Sequence, residues 1–334
     1  MPYSNQSLPS IPKDNAFNAI RLLLCLVVVF MHTLGNLGIQ NRFLLDGHMA
    51  VCGFFIISGF WVTKSYFCSK SLKEFFAKRA KKILPMYYFS VVGFSLLCVL
   101  FSSASPREYF GLDYAKYLFW NSIFLNFARP YLPNCFEKAA VNGALWTIKV
   151  EIGFYLILPL LIYAWQKLNT SLKKNLFFAC LYALSVAYNL LMTRYATKLH
   201  LPAQMAHQLP AFISFFASGM WIFLNWELFL KIKNKLIIPA IILYFVRYKT
   251  GTEILFPAAF ALIIVWAALF FKGVSFIGCD IDFSYGIYLF HFPIMQILFY
   301  SANKQVNVFT YVASVLALSF SLTYIIETLK KRRK

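Results

Sequence analysis

Arg21 and His32 lie in one apolar run, NAIRLLLCLVVVFMHTLG, long enough to cross a membrane as a helix. Ionisable side chains are costly in hydrocarbon and usually face a partner, a cavity or a substrate path. They are eleven positions apart. At roughly 100° per residue that spacing returns both to about the same helix face, and at 1.5 Å rise it sets them roughly 16 Å apart along the axis. One face therefore carries a fixed cation near one end and a titratable base near the other. A hydroxyl is a poor nucleophile at neutral pH, and an imidazole with an unperturbed pKa near 6.5 is suited to taking its proton. The structural alternatives are a packing histidine and an arginine that snorkels to lipid headgroups.

The rest of the chain reads as the scaffold such a helix needs. Of its 334 residues 60% are hydrophobic and 13% charged, more apolar surface than a soluble domain hides. The 37 Phe and 20 Tyr suit lipid-facing and interfacial positions. A net charge of +20 raises nucleic acid as a ligand, but the basic residues fall between apolar spans and not on a separable domain. Membrane lipids with anionic headgroups and anionic cytosolic ligands are the expected partners, with no nucleic acid. The seven Cys are scattered, with no metal-type spacing and no disulfide framework, so no metal is expected. The first apolar run is too long for a signal-peptide core and is expected to be retained.

The expected fold is all-α: a polytopic membrane helix bundle with about ten transmembrane helices, in one domain covering 1–334. Apolar spans fall at 16–38, 48–66, 84–103, 144–165, 176–192, 207–225, 236–248, 254–271, 283–300 and 308–327. The span 236–248 is short and contains Pro239, so spans seven and eight read equally as a re-entrant pair. The aromatic segment 114–128 is too short to cross and is expected at the membrane interface. About twenty basic residues collect in one set of loops, including Lys70 to Lys82, Lys231 to Lys235 and the tail from Lys330. About ten, among them Arg42, Arg107 and Lys304, fall in the other set. The positive-inside rule then places the short N-terminus 1–15 and the basic tail 328–334 in the cytoplasm. Arg21 is thereby cytoplasmic-proximal, and His32 lies towards the outer leaflet.

Span four descends from outside and carries Glu151 in LWTIKVEIGFY. Glu151 and His32 each lie roughly 10 Å below the outer ends of their helices, matching depths that suggest one shared polar site. Glu151 is costly in a membrane unless paired. It is a candidate to orient His32, to balance an imidazolium, or to pair with Lys149. Residues two apart point to different helix faces, which disfavours the last.

These motifs, in this order, resemble the acyltransferase-3 family of integral-membrane acyltransferases, typified by bacterial O-antigen and exopolysaccharide O-acetylases. Arg21 to His32 is similar to its Arg-x10-His first-helix signature. GFFIISGF, with Ser58, resembles the second-helix motif. FFAKRAKKILPMYY resembles the basic-x-x-basic-x-x-Pro loop, with Arg79, Lys82 and Pro85. GALWTIKVEIGFYLILP supplies Trp146, Glu151 and Tyr155, and FSYGIYLFHFPI supplies Ser284, Tyr285, Tyr288, His291 and Pro293. YIIETLKK supplies the closing Glu327. Lys82 departs from the second Arg of the loop, which weakens bidentate phosphate contact, and Lys149 adds a charge beside Glu151.

The resemblance implies a bacterial inner-membrane O-acyltransferase, using acetyl-CoA or a related thioester as donor. A glycan hydroxyl, on a cell-surface polysaccharide or its lipid-linked precursor, would be the acceptor. In this reading His32 is the base and Glu151 supports it. Arg21, Arg79 and Lys82 hold the donor phosphates. Trp146, Tyr285, Tyr288, His291 and Ser58 are candidates to line the acceptor path, although the aromatics and Ser58 also read as packing residues. Ser284 and Pro293 read as a helix start and a kink. Direct transfer and a covalent intermediate both stay open, and acyl handling is expected to rest on the membrane domain or on another protein. The rival class is a transporter of a lipid-linked sugar or organic anion, whose Arg, His and Glu would line a substrate path. A non-catalytic membrane scaffold or sensor is the third.

Overall fold

The computed structural model describes residues 8–39, 43–196, 198, 200–278 and 281–332. Residues 1–7 of the expected N-terminal segment, Arg42, Cys279, Arg333 and Lys334 lie outside the described residues. Among the described residues there is no strand, and the long elements are eleven helices. They are α1 (Phe17–Asn36), α2 (Gly47–Phe67), α3 (Leu72–Tyr88), α4 (Leu112–Ser122), α5 (Trp146–Gln166) and α6 (Ser171–Tyr195). α7 (Leu209–Leu224), α8 (Trp226–Thr250), α9 (Phe256–Phe270), α10 (Phe283–Ser301) and α11 (Val308–Arg332) complete the set. Each of the ten apolar spans forms a helix. Among the described residues seven helical stretches are long and apolar enough to cross a membrane: α1, α2, Leu72–Phe101, Gly143–Gln166, α6, Gln204–Leu224 and α11. The chain is an all-helical, multi-pass membrane protein.

Two expectations change. The basic segment is not a loop. Arg79, Lys82 and Pro85 sit inside α3, whose helical run continues through a π turn at Phe89–Gly93 and on to Phe101. Ala, Lys and Arg are strong helix formers, and the start is capped: the Ser71 hydroxyl accepts from the Glu74 backbone N–H at 3.1 Å. The short seventh span is also longer than its hydropathy suggests. Lys231–Lys235 belongs to the same 25-residue helix as the apolar stretch around Pro239. At 1.5 Å per residue α8 is roughly 37 Å long, whereas the 15-residue α9 is roughly 22 Å.

The chain divides into two compact units. The first holds the opening of α1 through Ile20, with Met49–Arg79 and Val150–Ile277. Here α2 and α7 approach through their glycines. A Cβ on Gly59 would collide with the Phe216 carbonyl oxygen, and one on Gly219 with that of Ile56. Small residues let membrane helices pack backbone to backbone, so this approach requires Gly at both positions. Beside it Phe154 stacks on Phe216 at 4.2 Å and Phe55 meets Phe154 edge-on at 5.2 Å.

The second unit holds Arg21–His48, Ala80–Lys149 and the chain from Gly278 onward. Its centre is α10, packed on α11, where Gly286 leaves room for the Thr323 side chain. Pro293 lies inside α10. It has no N–H for the carbonyl of Leu289, one turn earlier. That freed oxygen instead accepts from Asn142 Nδ2 at 2.8 Å and from Ser90 Oγ at 3.2 Å. A missing helix bond thus ties α10 to the segment before α5 and to the π turn after α3. In the same unit α4 buries Tyr117 and Asn121, and Asn121 Nδ2 donates to the carbonyls of Tyr117 and Arg129.

Gly59→Ala and Gly219→Ala should each destabilise the protein by about 1–3 kcal/mol, as overpacking does, whereas Gly273→Ala, with open space around it, should not. Thermal unfolding of detergent-solubilised protein measures the difference. Equal midpoints in all three variants would contradict the close α2–α7 approach.

Candidate functional site

Helix α10 runs alongside the second-unit part of α1 in the same direction. Near the start of both, the Arg21 guanidinium forms an ion pair with Asp282. Its Nη2 also lies 3.4 Å from Ser284 Oγ. Ser284 Oγ donates to Asp282 Oδ1 at 2.6 Å, and Lys82 Nζ lies 3.7 Å from Asp282 Oδ2. One turn further along, Cys25 Sγ donates to the Ser284 carbonyl at 3.2 Å. At the far end His32 Nδ1 sits 2.8 Å from His291 Nε2, with the two rings within 7° of parallel. The residues of the Arg-x10-His pair therefore share a face, and that face is covered by one helix.

Burial alone would raise the Asp282 carboxyl. The charges of Arg21 and Lys82 outweigh it, with help from the Ser284 and Arg21 hydrogen bonds, and hold it well below the usual carboxylate range. Asp282 flanks the N-terminus of α10, where a negative charge is also favoured. Sequence reasoning missed it. The available signal was an acid two residues ahead of the Ser-Tyr motif in a chain with only 12 acidic residues.

The aromatic candidates on α10 are tied to the backbone around them. Tyr285 Oη donates to the Ile83 carbonyl at 3.0 Å. Tyr288 Oη and Thr147 Oγ1 share a 2.8 Å hydrogen bond, and both hydroxyls reach the Ala144 carbonyl, at 3.4 Å and 3.0 Å. His291 is fully buried, and its Nδ1 lies 3.2 Å from the Ile287 carbonyl oxygen. Phe292 closes the edge of both imidazoles, at 5.3 Å from His32 and 6.1 Å from His291. Gly143 makes room for that ring, since a Cβ there would meet Phe292 at 2.6 Å. Trp146 is half-buried at the start of α5. Ser284 and Pro293 fall at the second position and in the interior of α10.

The remaining candidates belong to the first unit. The Glu151 carboxylate accepts from Ser58 Oγ and from Tyr155 Oη, each at 2.6 Å. Arg79 lies over the Tyr155 ring at 5.8 Å and donates to Ser65 Oγ at 3.0 Å. Tyr155 thus joins the candidate carboxylate to a candidate donor-binding cation. Lys149, which belongs to the second unit, points its ammonium over the Phe127 ring at 4.7 Å.

Residues 14–328 match the sequence model of a family described as an acyltransferase domain. The chain belongs to that family, acyltransferase-3. Among its relatives is Nodulation protein 10 of Rhizobium leguminosarum bv. viciae, 30% identical over 171 residues. That match covers 46% of this chain and 45% of the relative, so it spans under half of that protein's length. An O-acetyl transferase of Shigella phage Sf6 is 24% identical over 300 residues, 86% of each chain. No solved structure matches the chain. Among the described residues of this acyltransferase no group of His, Cys, Asp or Glu side chains is arranged to hold a metal ion.

Asp282→Asn should lower the thermal midpoint at neutral pH, because it leaves two cations without their carboxylate. The native carboxyl is depressed, so its contribution is complete above the ordinary carboxylate pKa of about 3.9 and is lost as pH falls towards the folded value. The midpoint difference between native protein and variant should therefore be flat from about pH 8 to 5 and shrink below about pH 4. A difference that grows on acidification would contradict the ion-pair assignment.

Proposed function

We propose that this acyltransferase moves an acetyl group from acetyl-CoA to a hydroxyl of a cell-surface glycan or its lipid-linked precursor, in the bacterial inner membrane. The observation that carries the reading is the pairing along α1 and α10, with Arg21 held at one end and the His32 imidazole at the other. The relative named O-acetyl transferase supports the choice of acetyl and of an oxygen acceptor.

In this reading His32 accepts the proton of the acceptor hydroxyl as its oxygen attacks the thioester carbonyl. The carbon–sulfur bond breaks, the thiolate leaves with the electron pair and takes up a proton, and the acceptor becomes an ester. Acetyl-CoA is anionic, with a long thin arm. Its phosphates would meet the cations Arg21, Arg79 and Lys82, and its arm would have to span the roughly 16 Å from Arg21 to His32 beside the α1–α10 seam. Asp282 already engages Arg21 and Lys82, so donor phosphate competes with an internal carboxylate for these two cations. Glu151, with Ser58 and Tyr155, supports the base electrostatically. Trp146, Tyr285 and Tyr288 line the acceptor path, and membrane lipids surround the whole.

Purified protein given acetyl-CoA and a glycan acceptor should release free CoA, with the acetyl ester detected on the glycan by mass spectrometry. His32→Ala should cut this release by about 10²-fold or more, the usual contribution of a general base, in protein whose thermal midpoint is retained. CoA release at the native rate from that variant would remove His32 from the chemistry. Movement of an unmodified solute without ester formation would indicate a transporter instead.

Arg79→Ala should raise the Michaelis constant for acetyl-CoA about tenfold, equivalent to about 1.4 kcal/mol, and leave that for the acceptor nearly unchanged. A change confined to the acceptor would reassign Arg79 to the other substrate.

A further inference from the structure

The sequence places His291 among the residues of an acceptor path, but its contacts describe a different task. It is fully buried, and its Nε2 is taken up by the ring of His32. A neutral imidazole has one N–H donor and one bare acceptor nitrogen. His291 Nδ1 faces the Ile287 carbonyl oxygen at 3.2 Å. A carbonyl oxygen only accepts, so the His291 proton sits on Nδ1. Nε2 is then the bare nitrogen. The 2.8 Å contact needs a donor, and His32 Nδ1 must supply it. His32 is left with its Nε2 unprotonated.

From this chain of assignments we infer that His291 is the positioning residue of the transfer reaction: it fixes His32 in the tautomer whose Nε2 can take a proton. The inference rests on His32 being the base. A free imidazole distributes its proton over both nitrogens, and the partner on one ring nitrogen decides which form persists. Here that partner is rigidly held. The rings of Tyr288 and Phe292 flank His291 at 5.9 Å and 6.1 Å. Phe292 also borders His32, and the missing Cβ of Gly143 leaves that ring its space.

The same bond serves the protonated state. When His32 gains its second proton, its Nδ1–H becomes a charge-assisted donor to His291 Nε2 and the bond strengthens. A neutral imidazole accepts this bond without placing a further charge in the membrane. His291 therefore differs from a carboxylate partner: it selects the tautomer and supports the imidazolium, yet carries no charge of its own.

Nitrogen NMR of histidine-labelled protein tests the assignment directly. Signals are assigned by their loss in His32→Ala and His291→Ala, and read at a pH where both rings are neutral. The expected pattern is a protonated Nδ1 and a bare Nε2 on both residues. A His32 that carries its proton on Nε2 in the native protein overturns the proposal, whatever the activity. His291→Leu should lower kcat ten- to hundredfold with both Michaelis constants nearly unchanged, and native kcat in a folded His291→Leu protein also overturns it. His291→Gln, whose side-chain carbonyl offers an acceptor near the position of Nε2, should keep the His32 tautomer and recover most of kcat. Loss of the tautomer in that variant would show that acceptance at this position is not what fixes it. The result is separable from the base reading: full turnover in His32→Ala would end that reading while the native tautomer pattern still stood.

Discussion

A polar group in hydrocarbon has no water to turn to, so each one must find its partner inside the protein. That constraint organises the second unit around α10. Arg21 is met by Asp282 and Ser284 at the head of that helix, and His32 by His291 in its middle. The carbonyl that Pro293 leaves open is filled by Asn142 and Ser90. The same rule holds in the first unit, where Ser58 and Tyr155 both donate to Glu151. Helix positions follow from these pairings as much as from apolar packing, because dissolving any one of them leaves a buried dipole or charge unanswered.

Much of this was legible from residue spacing. Helical periodicity puts Arg21 and His32 on one face, and α10 covers both. The ten apolar runs are helices because runs of that length and composition have no other way to satisfy their backbone. What spacing does not contain is adjacency. Matching depth suggested a site shared by His32 and Glu151, but depth says nothing about which helices touch. His32 meets His291 on α10, and the Glu151 carboxylate accepts from Ser58 and Tyr155. Asp282 escaped notice for a related reason: it lies 261 positions from Arg21, and only the fold relates them.

The basic segment shows where a motif and a secondary structure part ways. Arg79, Lys82 and Pro85 match a family pattern described as a loop, yet here they lie on α3. On a helix, Arg79 and Lys82 are neighbours three residues apart. Arg79 reaches Ser65 and Tyr155, whereas Lys82 reaches Asp282. One short stretch of α3 thus sends its two cations to different carboxyl-bearing clusters, Asp282 directly and Glu151 by way of Tyr155.

The two ends of the α1–α10 seam solve the cost of polarity differently, and the difference follows from their tasks. Arg21 is permanently charged, so only an anion offsets it fully, and Asp282 lies at a helix N-terminus where a carboxylate is already favoured. In the proposed reaction His32 is neutral before it takes a proton and charged afterwards. A carboxylate bonded directly to Nδ1 would raise the ring's affinity for its proton and leave more of the resting base already charged. A buried neutral imidazole accepts one hydrogen bond in both states. It holds the ring without adding a charge of its own, which suits the proton transfer proposed for His32.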